Sequence, residues 1–125
     1  MNFLDNLFLT QSITETDGGF EAVVRCNPDH AVYKSHFPGN PITPGACMLQ
    51  EAGMLMQEKM GRPLFLKTSK NIKYLSLLIP AEDKEIKFVF SRIVKDETEC
   101  KAQVTIADEN NVYTKMSLTY CYEPL

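Results

Sequence analysis

The stretch Ala46-Cys47-Met48-Leu49-Gln50-Glu51-Ala52-Gly53-Met54-Leu55-Met56 constrains the fold more than any other part of the chain. It reads as helix. Thr43 suits the N-cap, and Pro44 suits the first helical position because its missing N–H has no partner to lose there. Gly61 and Pro63 stop the helix after about Met60. About 16 residues make roughly 24 Å of helix. Its side chains are apolar nearly all round, so it belongs in a core, enclosed by other elements.

Those other elements read as strands. An extended segment from about Leu7 to Thr16 ends in Asp17-Gly18-Gly19, a hairpin signal. Phe20, Ala22, Val24 and Cys26 then alternate with polar or smaller neighbours, giving a strand with one buried face. Pro28 ends it, and Pro38, Pro41 and Pro44 keep the following connection extended and stiff. After the helix, residues 64–79 are extended, with Ile72, Tyr74, Ser76 and Leu78 on one side. Three further alternating runs are centred on Ile86–Phe90, Ala102–Ile106 and Val112–Tyr120, separated by turns at Pro80–Asp83, Lys95–Glu97 and Asp108–Asn111. One buried helix with about six antiparallel strands is α+β, a single domain over 1–125. Sheet edges need cover, so a homodimer is expected.

Composition narrows the function. A net charge of −3 lacks the cationic footprint that nucleic acid or an anionic membrane requires. No apolar run spans a bilayer, and no signal peptide is visible, so a cytoplasmic protein is expected. The four cysteines, 26, 47, 100 and 121, form no CxxC pair and read as free thiols. There is no GxGxxG, P-loop or histidine pair, so neither metal nor cofactor is expected.

Chemistry concentrates at His36-Phe37-Pro38-Gly39-Asn40-Pro41-Ile42-Thr43-Pro44-Gly45. A histidine opens a proline-stiffened loop that runs straight into the helix. The first helical amides have no intrahelical acceptors. Pro44 has no N–H, so Gly45 and Ala46 are the first free donors, and Gly45 lets a ligand come close. A carbonyl oxygen gaining negative charge would be stabilised there by donor and helix dipole together. Cys47 lies in the same turn, where the dipole can lower a thiol pKa, but a nucleophile would want a base beside it and none can be assigned. His30, in a polar turn, reads as structural.

The loop HFPGNPITPG resembles the signature of bacterial 3-hydroxyacyl-(acyl-carrier-protein) dehydratases. The likeness covers roughly residues 7–122 and includes Lys70-Asn71-Ile72-Lys73-Tyr74 and Ile79-Pro80 in the same order. The resemblance implies a hotdog fold, a long central helix wrapped by a curved antiparallel sheet. It also implies a role in fatty-acid or related lipid or polyene biosynthesis. The partner would be acyl carrier protein or coenzyme A bearing the acyl chain, in a homodimer, higher oligomer or heterodimer. Carried over, His36 handles the C2 proton and the β-hydroxyl, the Gly45 N–H holds the thioester carbonyl, and Phe37 and Ala46 border the substrate.

One position departs from that pattern. In the family the histidine is paired with a helix carboxylate contributed by the other subunit; that position falls on Gln50, and Glu51 is one residue late, about 100° round the helix. A glutamine amide can hold a hydroxyl but cannot shuttle a proton. Three readings stay open. His36 makes both proton transfers with Gln50 as positioner; Glu51 is recruited by a local shift; or dehydration is lost and the protein binds or hydrolyses an acyl thioester. The helical methionines (48, 54, 56, 60) read as soft core filler or as the wall of an acyl slot. Lys67, Lys70, Lys73 and Arg62 read as a solvated edge or a landing patch for an acidic carrier.

Overall fold

A computed structural model describes residues 4–35 and 39–125. The elements run β1 (Phe8–Thr16), β2 (Gly19–Cys26), α1 (Val32–Ser35), α2 (Gly45–Met60), β3 (Phe65–Tyr74), β4 (Glu85–Lys95), β5 (Glu99–Ala107) and β6 (Val112–Cys121). The six strands form one antiparallel sheet in the order β1-β2-β4-β5-β6-β3. The chain therefore places β3, which directly follows the helix, at the far edge from β1.

Strict alternation explains why one face is dry. Phe20, Ala22 and Val24 on β2 face the same side as Ile86, Phe88 and Phe90 on β4, and as Ala102, Val104 and Ile106 on β5. The Phe20 and Phe90 rings, directly opposite in register, stack with centroids 4.3 Å apart. Burying each large apolar side chain of this set contributes about 1.5–3 kcal/mol. Met48, Ala52, Leu55 and Met56 of α2 join the same core. Thr114 on β6 donates its hydroxyl to the Met48 sulfur at 3.5 Å, which places the helix on this inner face.

Turn chemistry fixes the hairpins. Gly18 sits at φ 79°, where a side chain would be strained. Gly19 is required for a different reason. A Cβ there would lie 1.8 Å from the carbonyl oxygen of Phe90. Asp96 Oδ1 accepts the N–H groups of Thr98 and Glu99, and Asp108 Oδ1 accepts those of Asn110 and Asn111. These aspartates close the β4–β5 and β5–β6 turns with their own side chains.

The sequence expectations need four corrections. Thr43 is not the cap. Pro44 occupies that position without a side-chain hydrogen bond, and the helix begins at Gly45. The Thr43 hydroxyl instead bonds the Tyr33 hydroxyl at 2.9 Å, a long-range partner that local sequence does not reveal. The connection after Pro28 is not wholly extended, because α1 forms at Val32–Ser35, anchored by buried Val32 and Tyr33. Segment 64–79 is strand only to Tyr74, and β3 is exposed along nearly its whole length. Finally, α2 is not enclosed on all sides: Ala46, Gln50 and Glu58 are exposed.

The contact at Gly19 gives a direct test of the hairpin. Gly19→Ala forces β2 away from the Phe90 carbonyl and should destabilise the fold by about 1–3 kcal/mol. Urea unfolding that leaves the midpoint unchanged would contradict this packing.

Candidate functional site

The site is assembled around the amino end of α2. The short helix α1 and the residues before α2 are tied together by the Tyr33–Thr43 hydroxyl pair, with both groups buried. Burial pushes the Tyr33 phenol up to about 12, so it stays a neutral hydrogen-bonding group. The Thr43 N–H donates to the Leu78 carbonyl at 2.8 Å, pinning the start of α2 to the segment after β3. On the other side, the Val32 N–H donates to His30 Nδ1 at 3.0 Å. His30 Nε2 must then carry the proton and donate to the Asp5 carbonyl, also at 3.0 Å. His30 is thus a structural clasp. The bonds at positions 33 and 43 bracket the proline-stiffened loop. His36 and Phe37 lie outside the described residues.

At Gly45 the helix presents open amides. Among the described residues no backbone carbonyl accepts from the N–H of Gly45 or Ala46, while those of Cys47 and Met48 turn back to Pro44. The Tyr74 ring packs on Gly45, and a Cβ there would meet that ring at 2.5 Å. Tyr74 is 57 % exposed, so its ring can swing aside. The role of Tyr74 was invisible in the sequence because the contact crosses 29 positions.

A groove of about 360 Å³ starts beside this end, at Ala46. It runs along α2 past Leu49, Gln50, Gly53 and Met54, with Leu66 and Tyr120 on the sheet side. Gln50 is exposed and borders the groove. Gln57 is already committed, since its side-chain oxygen accepts the Leu64 N–H at 2.9 Å. Glu51 points elsewhere. It is 5 % exposed, shares the buried stripe with Cys47 and Leu55, and does not border the groove. Burial, with the nearby Glu58 charge adding to it, pushes the Glu51 carboxyl up to about 8. The helix therefore brings Ala46 and Gln50 to one groove, places Gly45 one residue before it, and keeps Glu51 out of it.

Burial pushes the Cys47 thiol up, so it is not an activated nucleophile. The cationic run is divided. The Arg62 guanidinium lies 3.8 Å over the Tyr122 ring, and Lys67 pairs with Glu99 at 3.1 Å. Lys67 and Lys70 border a hollow with Arg92 and Lys101 on the outer face of the sheet. The four cysteines are free thiols. Among the described residues no cluster of His, Cys, Asp or Glu could hold a metal ion. No helix there is long and apolar enough to cross a membrane.

The buried carboxyl makes stability depend on pH. Unfolded, Glu51 ionises near its ordinary 4.5; folded, it holds its proton to about 8. Its protonated form contributes fully below about pH 4.5, and that contribution is lost as pH rises through 8. Glu51→Gln should therefore gain stability over the wild type progressively from pH 5 to pH 9, on the order of 1–4 kcal/mol. Denaturation curves with a pH-independent difference would contradict the assignment.

Comparison with known proteins identifies the family and the fold. A family model described as ApeI-like, ApeI dehydratase, matches residues 12–117. The 3-hydroxyacyl-(acyl-carrier-protein) dehydratase FabZ of Brucella ovis is 33% identical over 110 residues, covering 77% of this chain and 69% of the relative. That of Latilactobacillus sakei is 26% identical over 124 residues, covering 82% and 89%. Among solved structures, a chain of the dehydratase heterocomplex ApeI:P from Xenorhabdus doucetiae superposes with TM-score 0.67 at 13% identity, covering 91% of this chain and 97% of that one. A hypothetical thioesterase with coenzyme A from Streptococcus pneumoniae gives 0.64 at 16% identity, covering 93% and 85%. These structural likenesses establish the hotdog fold, with its sheet left open at β1 and β3. The chain belongs to the ApeI-like family of hotdog dehydratases.

Proposed function

We propose that the protein dehydrates 3-hydroxyacyl thioesters presented on acyl carrier protein or coenzyme A, in fatty-acid or related lipid or polyene biosynthesis. The observation that carries this reading is the open amide end of α2 at Gly45, one residue before a groove that begins at Ala46 and is bordered by Gln50. The thioester carbonyl accepts from the Gly45 N–H, with Ala46 beside it. The helix dipole and this donor stabilise the oxygen as it gains charge. That lowers the barrier to removal of the C2 proton by His36. The C2 electron pair forms the new double bond as the C3–O bond breaks. The hydroxyl leaves as water with the proton returned by His36. Gln50 holds that hydroxyl by hydrogen bonds and moves no proton.

We propose further that the working unit is a homodimer in the cytoplasm. The β3 edge leaves its main chain unpaired on one side and exposes Phe65 and Leu66, beside Leu77 and Ile79 of the next segment. A second reading rests on Gln50 itself. With a glutamine in the groove and Glu51 buried outside it, a related chain could supply the acid in a heterodimer, leaving this chain to bind acyl groups. Hydrolysis of the thioester, the activity named for one structural neighbour, would call on Glu51 to activate a water beside Gln50, and Glu51 is buried outside the groove.

Purified protein incubated with 3-hydroxyacyl carrier protein should yield the 2-enoyl product with loss of water. His36→Ala should abolish turnover. Gln50→Glu should raise it by ~10²–10⁴, the typical worth of an added acid–base partner. Enoyl product only in the presence of a second related chain would replace this reading with the heterodimer. Release of free thiol without enoyl product would replace it with hydrolysis.

A further inference from the structure

Two features of the groove are unexplained by the fold. Gly53 lies in the interior of α2, where glycine is the poorest helix former after proline. The protein's own packing does not require it, because a Cβ there would find its nearest neighbours at 3.7 Å, an ordinary contact. Those neighbours are the ring edge and hydroxyl of Tyr120. That hydroxyl is buried and has no hydrogen-bond partner, alone among the buried side-chain polar atoms of the described residues. An unmade hydrogen bond in a dry place is costly, so such a group calls for a partner that arrives later. Gly53 and Tyr120 border the same groove as Gln50.

We infer that Gly53 and Tyr120 select the substrate's tail: the acyl chain passes over Gly53, and the Tyr120 hydroxyl donates to an oxygen that the chain carries at that depth. This rests on the dehydratase reading and names its substrate class, oxygen-bearing 3-hydroxyacyl thioesters rather than plain saturated ones. Position 53 is three residues past Gln50, roughly 4.5 Å along the helix. With C3 held at Gln50, the contact falls a few carbon–carbon bonds further down the chain. Glycine keeps the passage deep enough for the tail to reach the phenol. Leu49, Met54 and Leu66 supply the apolar walls on either side. Burial also holds the phenol far above its ordinary range, so it remains a donor at any working pH.

The experiment compares carrier-protein thioesters of 3-hydroxybutyrate, 3-hydroxyoctanoate and 7-oxo-3-hydroxyoctanoate with wild type, Tyr120→Phe and Gly53→Ala. Wild type should prefer the oxo substrate to the plain octanoyl one. Tyr120→Phe should reduce that preference roughly five- to tenfold in kcat/KM. Gly53→Ala should raise the melting temperature by ~2–5 °C, showing an intact fold. It should also lower the octanoyl-to-butyryl kcat/KM ratio about tenfold. Calorimetric binding of octanoyl- and 7-oxo-octanoyl-pantetheine amides measures the same preference without turnover. If no substrate is dehydrated yet the binding preference exists and depends on Tyr120, the dehydratase reading fails and the tail contact stands. A preference untouched by Tyr120→Phe overturns the inference. So does Tyr120→Phe weakening self-association with no change in preference, which would place a second copy of the chain against the hydroxyl.

Discussion

The structure depends on burying one stripe of α2 against the inner face of the sheet. Met48, Ala52, Leu55 and Met56 vanish from solvent there, in one core with the phenylalanines of β2 and β4 and the buried residues of β6. That burial fixes the rotation of the helix. The rotation then decides which side chains are available for chemistry. With the stripe inward, Gln50 must face the groove and Glu51 must not, because adjacent residues differ by about 100°. A one-residue difference in sequence thus becomes a difference between an accessible amide and a secluded carboxyl.

The same burial holds the amino end of the helix where its amides are open. Thr43 could have closed that end as a cap, but its hydroxyl is drawn to Tyr33 and its N–H to Leu78. Those bonds fix the chain on the two sides of the histidine loop and leave the Gly45 and Ala46 donors unused by backbone carbonyls among the described residues. A capping residue diverted to a tertiary contact is locally inconsistent with helix-start rules, and such inconsistencies concentrate at functional sites.

Much of the fold was legible because the signals were local. The alternation of Phe20, Ala22, Val24 and Cys26 named the buried face of β2 correctly, and Gly61 ended α2 as expected, at φ 69° with its N–H on the Gln57 carbonyl. The resemblance carried by HFPGNPITPG anticipated the family. What was not legible was set by distant parts of the chain. The fate of Thr43 depends on Tyr33, the seclusion of Cys47 on the packed core, and the exposure of β3 on its place at the sheet edge. Gly53 was visible as a glycine within a helical pattern, yet only the register of β6 shows that Tyr120 waits beside it.

The proposed activity turns on the open end of α2 gripping the thioester carbonyl through the Gly45 N–H. Isotope-edited infrared difference spectroscopy reads that contact directly, using an octanoyl thioester labelled with carbon-13 at the carbonyl and lacking the 3-hydroxyl. On binding, the labelled stretch should move to lower frequency, as a strengthened hydrogen bond withdraws electron density from the C=O bond. A bound thioester whose carbonyl stretch stays at its free apolar-solvent frequency would contradict the account.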